Sequence, residues 1–138
     1  MKHRLFLLSI LTLMACTLAF GRGINMQPFA RQFVAIHFTE RMVIVENCDG
    51  DCEITLDDGT ELQFSDDGEW EIKAESSEYG IPFTVLPERA MKIAELKFNG
   101  VRMISAEQDD DGEISCEFEN GGEIVCRSDG TIIEFKLK

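Results

Sequence analysis

Basic charge is scarce in this 138-residue chain: 13 Lys and Arg stand against 26 Asp and Glu, for a formal net charge of −13. Two of the basic residues, Lys2 and Arg4, sit at the N-terminus, while every acidic residue lies beyond the first 21. Such a field repels polyanions, so nucleic acid and anionic membrane surfaces are poor partners. Histidine is scarcer still, with His37 the single one past His3. No Ser or Cys is placed beside a base by the sequence, so a catalytic triad or dyad lacks its general base unless a lone carboxylate serves. His37 reads as a cation or a packed ring at a helix C-terminus, and Lys97 holds the matching place sixty residues on. An enzyme is not expected.

Long apolar runs are also missing, except at the start. Leu5 to Phe20 is interrupted by Ser9, Thr12, Cys16 and Thr17 and follows Lys2 and Arg4, which predicts an export signal over residues 1–21. The run is shorter than the roughly 20 residues a membrane span needs. Thr17-Leu18-Ala19 and Ala19-Phe20-Gly21 offer small residues for cleavage near 19–21. Leu13-Met14-Ala15-Cys16 resembles a lipoprotein box and leaves a lipid anchor on Cys16 as the alternative. The remainder is the size of one compact domain, in a periplasmic or secreted setting.

Present in quantity is repetition. Residues 26–74 and 86–138 read as one unit written twice, joined by a linker over 75–85. Placing Phe38 on Phe98 matches Ala30 with Ala90 and Phe33 with Ile93. After two extra residues, Asn99 and Gly100, Ile54, Leu56, Gly59, Leu62 and Gly68 fall on Cys116, Phe118, Gly121, Ile124 and Gly130. Each unit opens with a helix. Pro28 starts the first, which runs to His37 with Phe29, Ala30, Phe33, Val34 and His37 on one face; Pro87 starts the second. The period then changes from 3.6 to 2, predicting strands near 42–46, 52–56, 61–64 and 70–73, then 103–107, 114–118, 123–126 and 131–137. Asp49-Gly50, Asp57-Asp58-Gly59 and Asp66-Asp67-Gly68 mark tight turns. In the last strand, hydrophobicity and turn arithmetic disagree about which residues face inward, so a bulge or longer turn is expected near Gly130. The expected fold is α+β: tandem helix-plus-four-strand units forming a curved antiparallel sheet with the helices on one face.

Four cysteines follow the signal. Cys48 faces Cys52 across Asp49-Gly50-Asp51, and a three-residue loop at Asn120-Gly121-Gly122 would set Cys116 opposite Cys126. Geometry allows a disulfide at each pair, with small buried thiols as the alternative. Asn47-x-Asp49-x-Asp51 and Asp109-x-Asp111-x-Glu113 imitate the start of an EF-hand loop, but Cys52 and Ile114 stand where that loop needs Gly. No metal site or cofactor is expected.

What remains is a surface. Alternation places Val43, Val45, Glu53, Thr55, Glu61, Met103, Glu107, Glu117, Glu123 and Arg127 on the sheet face away from the helices. They would form a mixed apolar and acidic platform for another exported protein. The alternative is an acidic envelope protein that binds calcium or cationic ligands weakly through its Asp/Gly turns. The order of the short motifs, Asp57-Asp58-Gly59-Thr60-Glu61-Leu62-Gln63-Phe64, Asp67-Gly68-Glu69-Trp70, Ile81-Pro82, Leu86-Pro87-Glu88-Arg89-Ala90 and Asn120-Gly121-Gly122-Glu123-Ile124, resembles the PepSY-like family of small exported bacterial proteins, also described as β-lactamase-inhibitor-like. The resemblance implies the tandem architecture, a periplasmic location and an inhibitory or regulatory role. It carries over no contact residue.

Overall fold

The computed structural model describes residues 28–137. The expected export signal, Cys16 and Lys138 lie outside the described residues.

Helix α1 spans Pro28–His37. Proline suits its start because the fixed φ is helical and the missing N–H would have had no partner in the first turn. Ala30, Phe33 and Val34 are buried. Phe29, expected on the same face, is 49% exposed, though its ring meets Phe33 at 5.9 Å and Phe64 edge-on at 5.8 Å between centroids.

Four strands follow: β1 (Val43–Asp49), β2 (Asp51–Leu56), β3 (Glu61–Phe64) and β4 (Trp70–Lys73). A short 3₁₀ turn at Phe83–Val85 leads into α2 (Glu88–Lys97). Strands β5 (Met103–Gln108), β6 (Ile114–Phe118), β7 (Glu123–Cys126) and β8 (Ile132–Lys136) complete the chain. All eight form one antiparallel sheet in chain order, so the α+β class and strand count agree with the sequence pattern. The halves join where β4 pairs with β5, with Ile72 opposite Ala106. The connection runs back along β5: Ala74 N–H donates to Ile104 O and Ile81 N–H to Met103 O, each at 2.9 Å.

Strands β1 and β5 break register at the same relative point. Val43 pairs with Leu56, and the register shifts before Val45 pairs with Thr55; Met103 pairs with Phe118, and it shifts before Ser105 pairs with Glu117. An extra residue in a strand reverses which side its neighbours face. Below these shifts, the inward residues Ile54, Leu62, Ile72, Ala106, Cys116 and Ile124 join Ala30, Phe33, Ala90 and Ala94 in one core cluster. Burial of each large side chain contributes roughly 1.5–3 kcal/mol.

Packing is close around Phe98, which is fully buried. Its ring stacks on Phe118 at 3.9 Å, and Phe135 meets it edge-on at 6.1 Å. A Cβ placed on Gly122 would lie 2.2 Å from a Phe98 ring carbon, so the bare glycine backbone is what lets the ring in.

Cys48 and Cys52 are register partners and form a disulfide. Closing so short a loop contributes about 2 kcal/mol in the chain-entropy model. The second expected bridge does not form. Gly121 N–H donates to Phe118 O and Phe118 N–H to Gly122 O, so the loop is Glu119-Asn120-Gly121, one residue earlier than expected. Gly121, at φ 92°, takes the left-handed place in that loop. The shift sets Cys116 opposite Ile124 and Cys126 opposite Ile114. Both remain free buried thiols, and burial pushes them up to about 12 and about 11 respectively. The irregularity expected near Gly130 lies slightly further on, where β8 shifts register opposite Val125 and Cys126.

Candidate functional site

One face of the sheet carries two transverse rows of register partners. One row runs Asn47, Glu53, Gln63, Glu71, Glu107, Ser115, Val125, Glu134, and the other runs Val45, Thr55, Glu61, Lys73, Ser105, Glu117, Glu123, Lys136. Carboxylates outnumber lysines heavily in these rows. Two pairs set like charges directly opposite: Glu71 faces Glu107, and Glu117 faces Glu123. Direct opposition of like charges costs a sheet stability. Lys136 partly offsets the second pair through an ion pair with Glu123 at 3.6 Å.

Glu53 stands in the same row as Glu71 and Glu107. Its Oε1 and the Oε1 of its register partner Gln63 are shut off from solvent and accept no hydrogen bond among the described residues. Burial, then the nearby Asp51 and Glu61, raise the Glu53 carboxyl above its usual range. Buried acceptors are ordinarily satisfied.

Of the residues expected on this face, Glu53, Thr55, Glu61, Glu107, Glu117 and Glu123 lie together there. The others do not extend the platform. Val43 pairs with the buried Leu56 but is itself 38% exposed, and Met103 pairs with the buried Phe118 and is completely buried. Simple alternation misplaced them because the shifts in β1 and β5 reverse the facing. Val45 shares the side of Thr55 but is 7% exposed and offers little contact area. Arg127 falls in the turn after β7, where its N–H donates to Thr131 O.

A polar cluster beside the sheet was not legible in the sequence. Asp58 accepts from Ser77 Oγ at 2.7 Å, from Thr60 Oγ1 at 3.0 Å and from Thr60 N at 3.1 Å, and it pairs with Arg41 at 2.9 Å. The Arg41 guanidinium lies 5.1 Å from the Phe38 ring centroid and 5.3 Å from that of Tyr79. Burial opposes the charge on Asp58, but the Ser77 and Thr60 hydrogen bonds and Arg41 outweigh it and hold the carboxyl below its ordinary value. Arg102 extends the cluster, donating to Ser77 O and pairing with Glu119 at 3.0 Å. Its partners are internal, so the cluster ties the turn after β2 to the linker. The one hint was Asp-Asp-Gly-Thr, which reads equally well as an isolated turn.

The remaining candidates organise no chemistry. His37 Nδ1 lies 2.9 Å from Thr84 Oγ1, its ring packs on Phe33 at 4.7 Å, and burial lowers its pKa. That is a packed helix-end histidine. Asp109, Asp110 and Asp111 bring one carboxylate oxygen each within 4.8 Å of one another. Asp109 Oδ1 is already engaged by the N–H groups of Asp111 and Glu113, as in an ordinary turn.

A sequence model for the family described as "Putative beta-lactamase-inhibitor-like, PepSY-like" matches residues 51–134. The chain belongs to this family. The match spans most of the PepSY-like sheet, from β2 through the core of β8. Among solved structures, this PepSY-like chain is similar to a "putative calcium-regulated periplasmic protein" from Bacteroides thetaiotaomicron, with TM-score 0.65 and 18% identity over 83% of this chain and 93% of that one. A "putative periplasmic protein" from Bacteroides vulgatus gives TM-score 0.63 and 21% identity over 83% and 93%. A second protein from Bacteroides vulgatus, described as periplasmic and of unknown function, gives 0.60 and 26% over 83% and 95%. At these identities the first two likenesses speak for the fold. No curated protein matches. Among the described residues, no helix is long and apolar enough to cross a membrane.

Proposed function

We propose that the chain is a non-enzymatic, periplasmic protein-binding module whose open sheet face receives a cationic surface of another exported protein, in the manner of an inhibitor or regulator. The observation that carries this reading is the pair of opposed carboxylates, Glu71–Glu107 and Glu117–Glu123, flanking one continuous face. A partner supplying Lys or Arg would relieve the repulsion and give Glu53 and Gln63 the donors they lack. The family's inhibitor-like description and its periplasmic structural relatives support the same reading. The architecture behind it is a duplication, with unit 26–74, linker 75–85 and unit 86–138, helices covering one face and the other left open. Its support is the shared register shift, sixty residues apart, in β1 and β5.

Glu71→Lys combined with Glu117→Lys separates binding from folding. Each reversal turns a repulsive cross-strand pair into an attractive one, so melting temperature should hold or rise slightly, by the few tenths of a kcal/mol such pairs carry. Capture of a basic partner from the protein's own envelope fraction should be lost. Undiminished capture by the doubly reversed protein would move the site off this face.

A second reading rests on Asp109, Asp110 and Asp111 together with the calcium-regulated relative: weak calcium binding at the turn between β5 and β6. Millimolar calcium should then raise the melting temperature, and Asp110→Asn with Asp111→Asn should remove the rise. A flat calcium titration ends this reading.

A further inference from the structure

Among the described residues, strand β8 leaves the sheet with an open edge, and its sequence is self-complementary about Phe135. We propose that this edge pairs with β8 of a second copy of the chain, antiparallel and centred on Phe135, to make one sheet across two protomers.

Three observations converge. The first is exposed apolar surface on an edge strand: Ile133, Phe135 and Leu137 are 44%, 37% and 53% exposed. The second is backbone direction. Phe118 N–H donates to Gly122 O, which makes 118 and 122 a hydrogen-bonded pair. Two positions along the same ladder, Cys116 and Ile124 are bonded likewise, so Ile124 directs its backbone groups toward β6. Ile124 therefore cannot bond Phe135, its register partner in β8, and the Phe135 N–H and C=O point outward at the edge. Two copies meeting there can exchange both bonds. The third is charge. With Phe135 opposite its own copy, Glu134 faces Lys136 of the second chain and Lys136 faces Glu134, while Ile133 and Leu137 face each other on the apolar side. A contact that repeats itself under a twofold axis closes as a dimer.

The other edge lacks this pattern. Strand β1 carries Glu46 as the only charged residue between Met42 and Cys48, so pairing β1 with its own copy brings no opposite charge into register. Edge lysines ordinarily discourage strand pairing; here Lys136, which lies 3.6 Å from Glu123 of its own chain, also meets a carboxylate of the second chain in the self-paired register, so the lysine favours that register. Pairing about an axis through Phe135 keeps both open faces on the same side, which would extend the acidic platform across the dimer.

The test is sedimentation velocity on the purified protein across a concentration series, with Glu134→Lys, Lys136→Glu and an equimolar mixture of the two. The wild-type chain should show a concentration-dependent dimer. Either reversal alone sets two like-charge pairs at the interface and should weaken the dimer about tenfold or more. The mixture restores opposite charge at both pairs and should recover the dimer as a heterodimer. Circular dichroism of each variant guards against a folding defect, and recovery in the mixture is a result misfolded chains could not give. Three results would overturn the proposal: a monomer up to about 1 mM, a dimer indifferent to either reversal, or open-ended growth with concentration, which would signal β1-to-β8 stacking. A monomer whose β8 amides gain exchange protection only in envelope extract would overturn it too, assigning the edge to a foreign strand.

Discussion

Replacing Gly122 with alanine is expected to lower stability by about 3 kcal/mol, at the upper end for overpacking a core. The added methyl would lie 2.2 Å and 2.6 Å from two Phe98 ring carbons and 3.1 Å from Lys136 O. The ring has nowhere to go, because it is stacked on Phe118 and met by Phe135. A mid-strand glycine without such a neighbour would lose far less. Equilibrium urea unfolding checks the size of the loss, and a cycle with Phe98→Leu checks the cause. The smaller side chain should relieve the clash, so the double variant should lose less than the sum of the singles by about 1 kcal/mol or more. Strict additivity would show that the ring is not the obstacle.

Asp58→Ala is the second large effect, about 3 kcal/mol, because it leaves Arg41 without its carboxylate and Thr60 and Ser77 without their acceptor. Arg41 and Asp58 side chains are 13% and 7% exposed, and Thr60 and Ser77 are fully buried, so water replaces little of what is lost. Asp58→Asn keeps an acceptor and should lose less. The same group contributes to acid sensitivity. Its folded pKa lies below the ordinary carboxylate value of about 3.9. Its stabilisation is therefore fully present above that pH and is lost as pH falls through the lower folded value. Glu53 acts in the opposite sense: its folded pKa is raised, so protonation on acidification relieves a penalty. Unfolding free energy measured from about pH 5 to about pH 3 should fall less steeply in Asp58→Ala than in the wild type. Parallel curves would remove Asp58 from the account.

Both effects depend on contacts between residues far apart in the chain, and neither was visible in the sequence. What was visible is instructive by contrast. The span of α1, the eight strands and the Gly turns follow from apolar period and turn chemistry within a few residues, where local sterics decide. The Cys48–Cys52 pairing was legible for the same reason, since the loop between them is too short to offer many registers. The Cys116–Cys126 expectation failed on one residue: reading the loop as 120–122 rather than 119–121 moves every partner by two. Met103 and Val43 failed on one residue as well, because each precedes a shift that alternation does not announce.

Glu53, Glu61, Glu107, Glu117 and Glu123 share a face in the sequence pattern because they lie within regular stretches, where period 2 holds. That they stand in opposed pairs, with Glu71 against Glu107, required the β4–β5 pairing, which joins strands separated by a linker and a helix. Composition and near neighbours were enough to fix the class and the order of the elements. The β4–β5 register, the Asp58 cluster, the Gly122 contact with Phe98 and the β8 edge emerged only once the chain had folded. Each of these depends on where distant backbones come to rest, and a one-residue change in a turn or bulge is enough to move them.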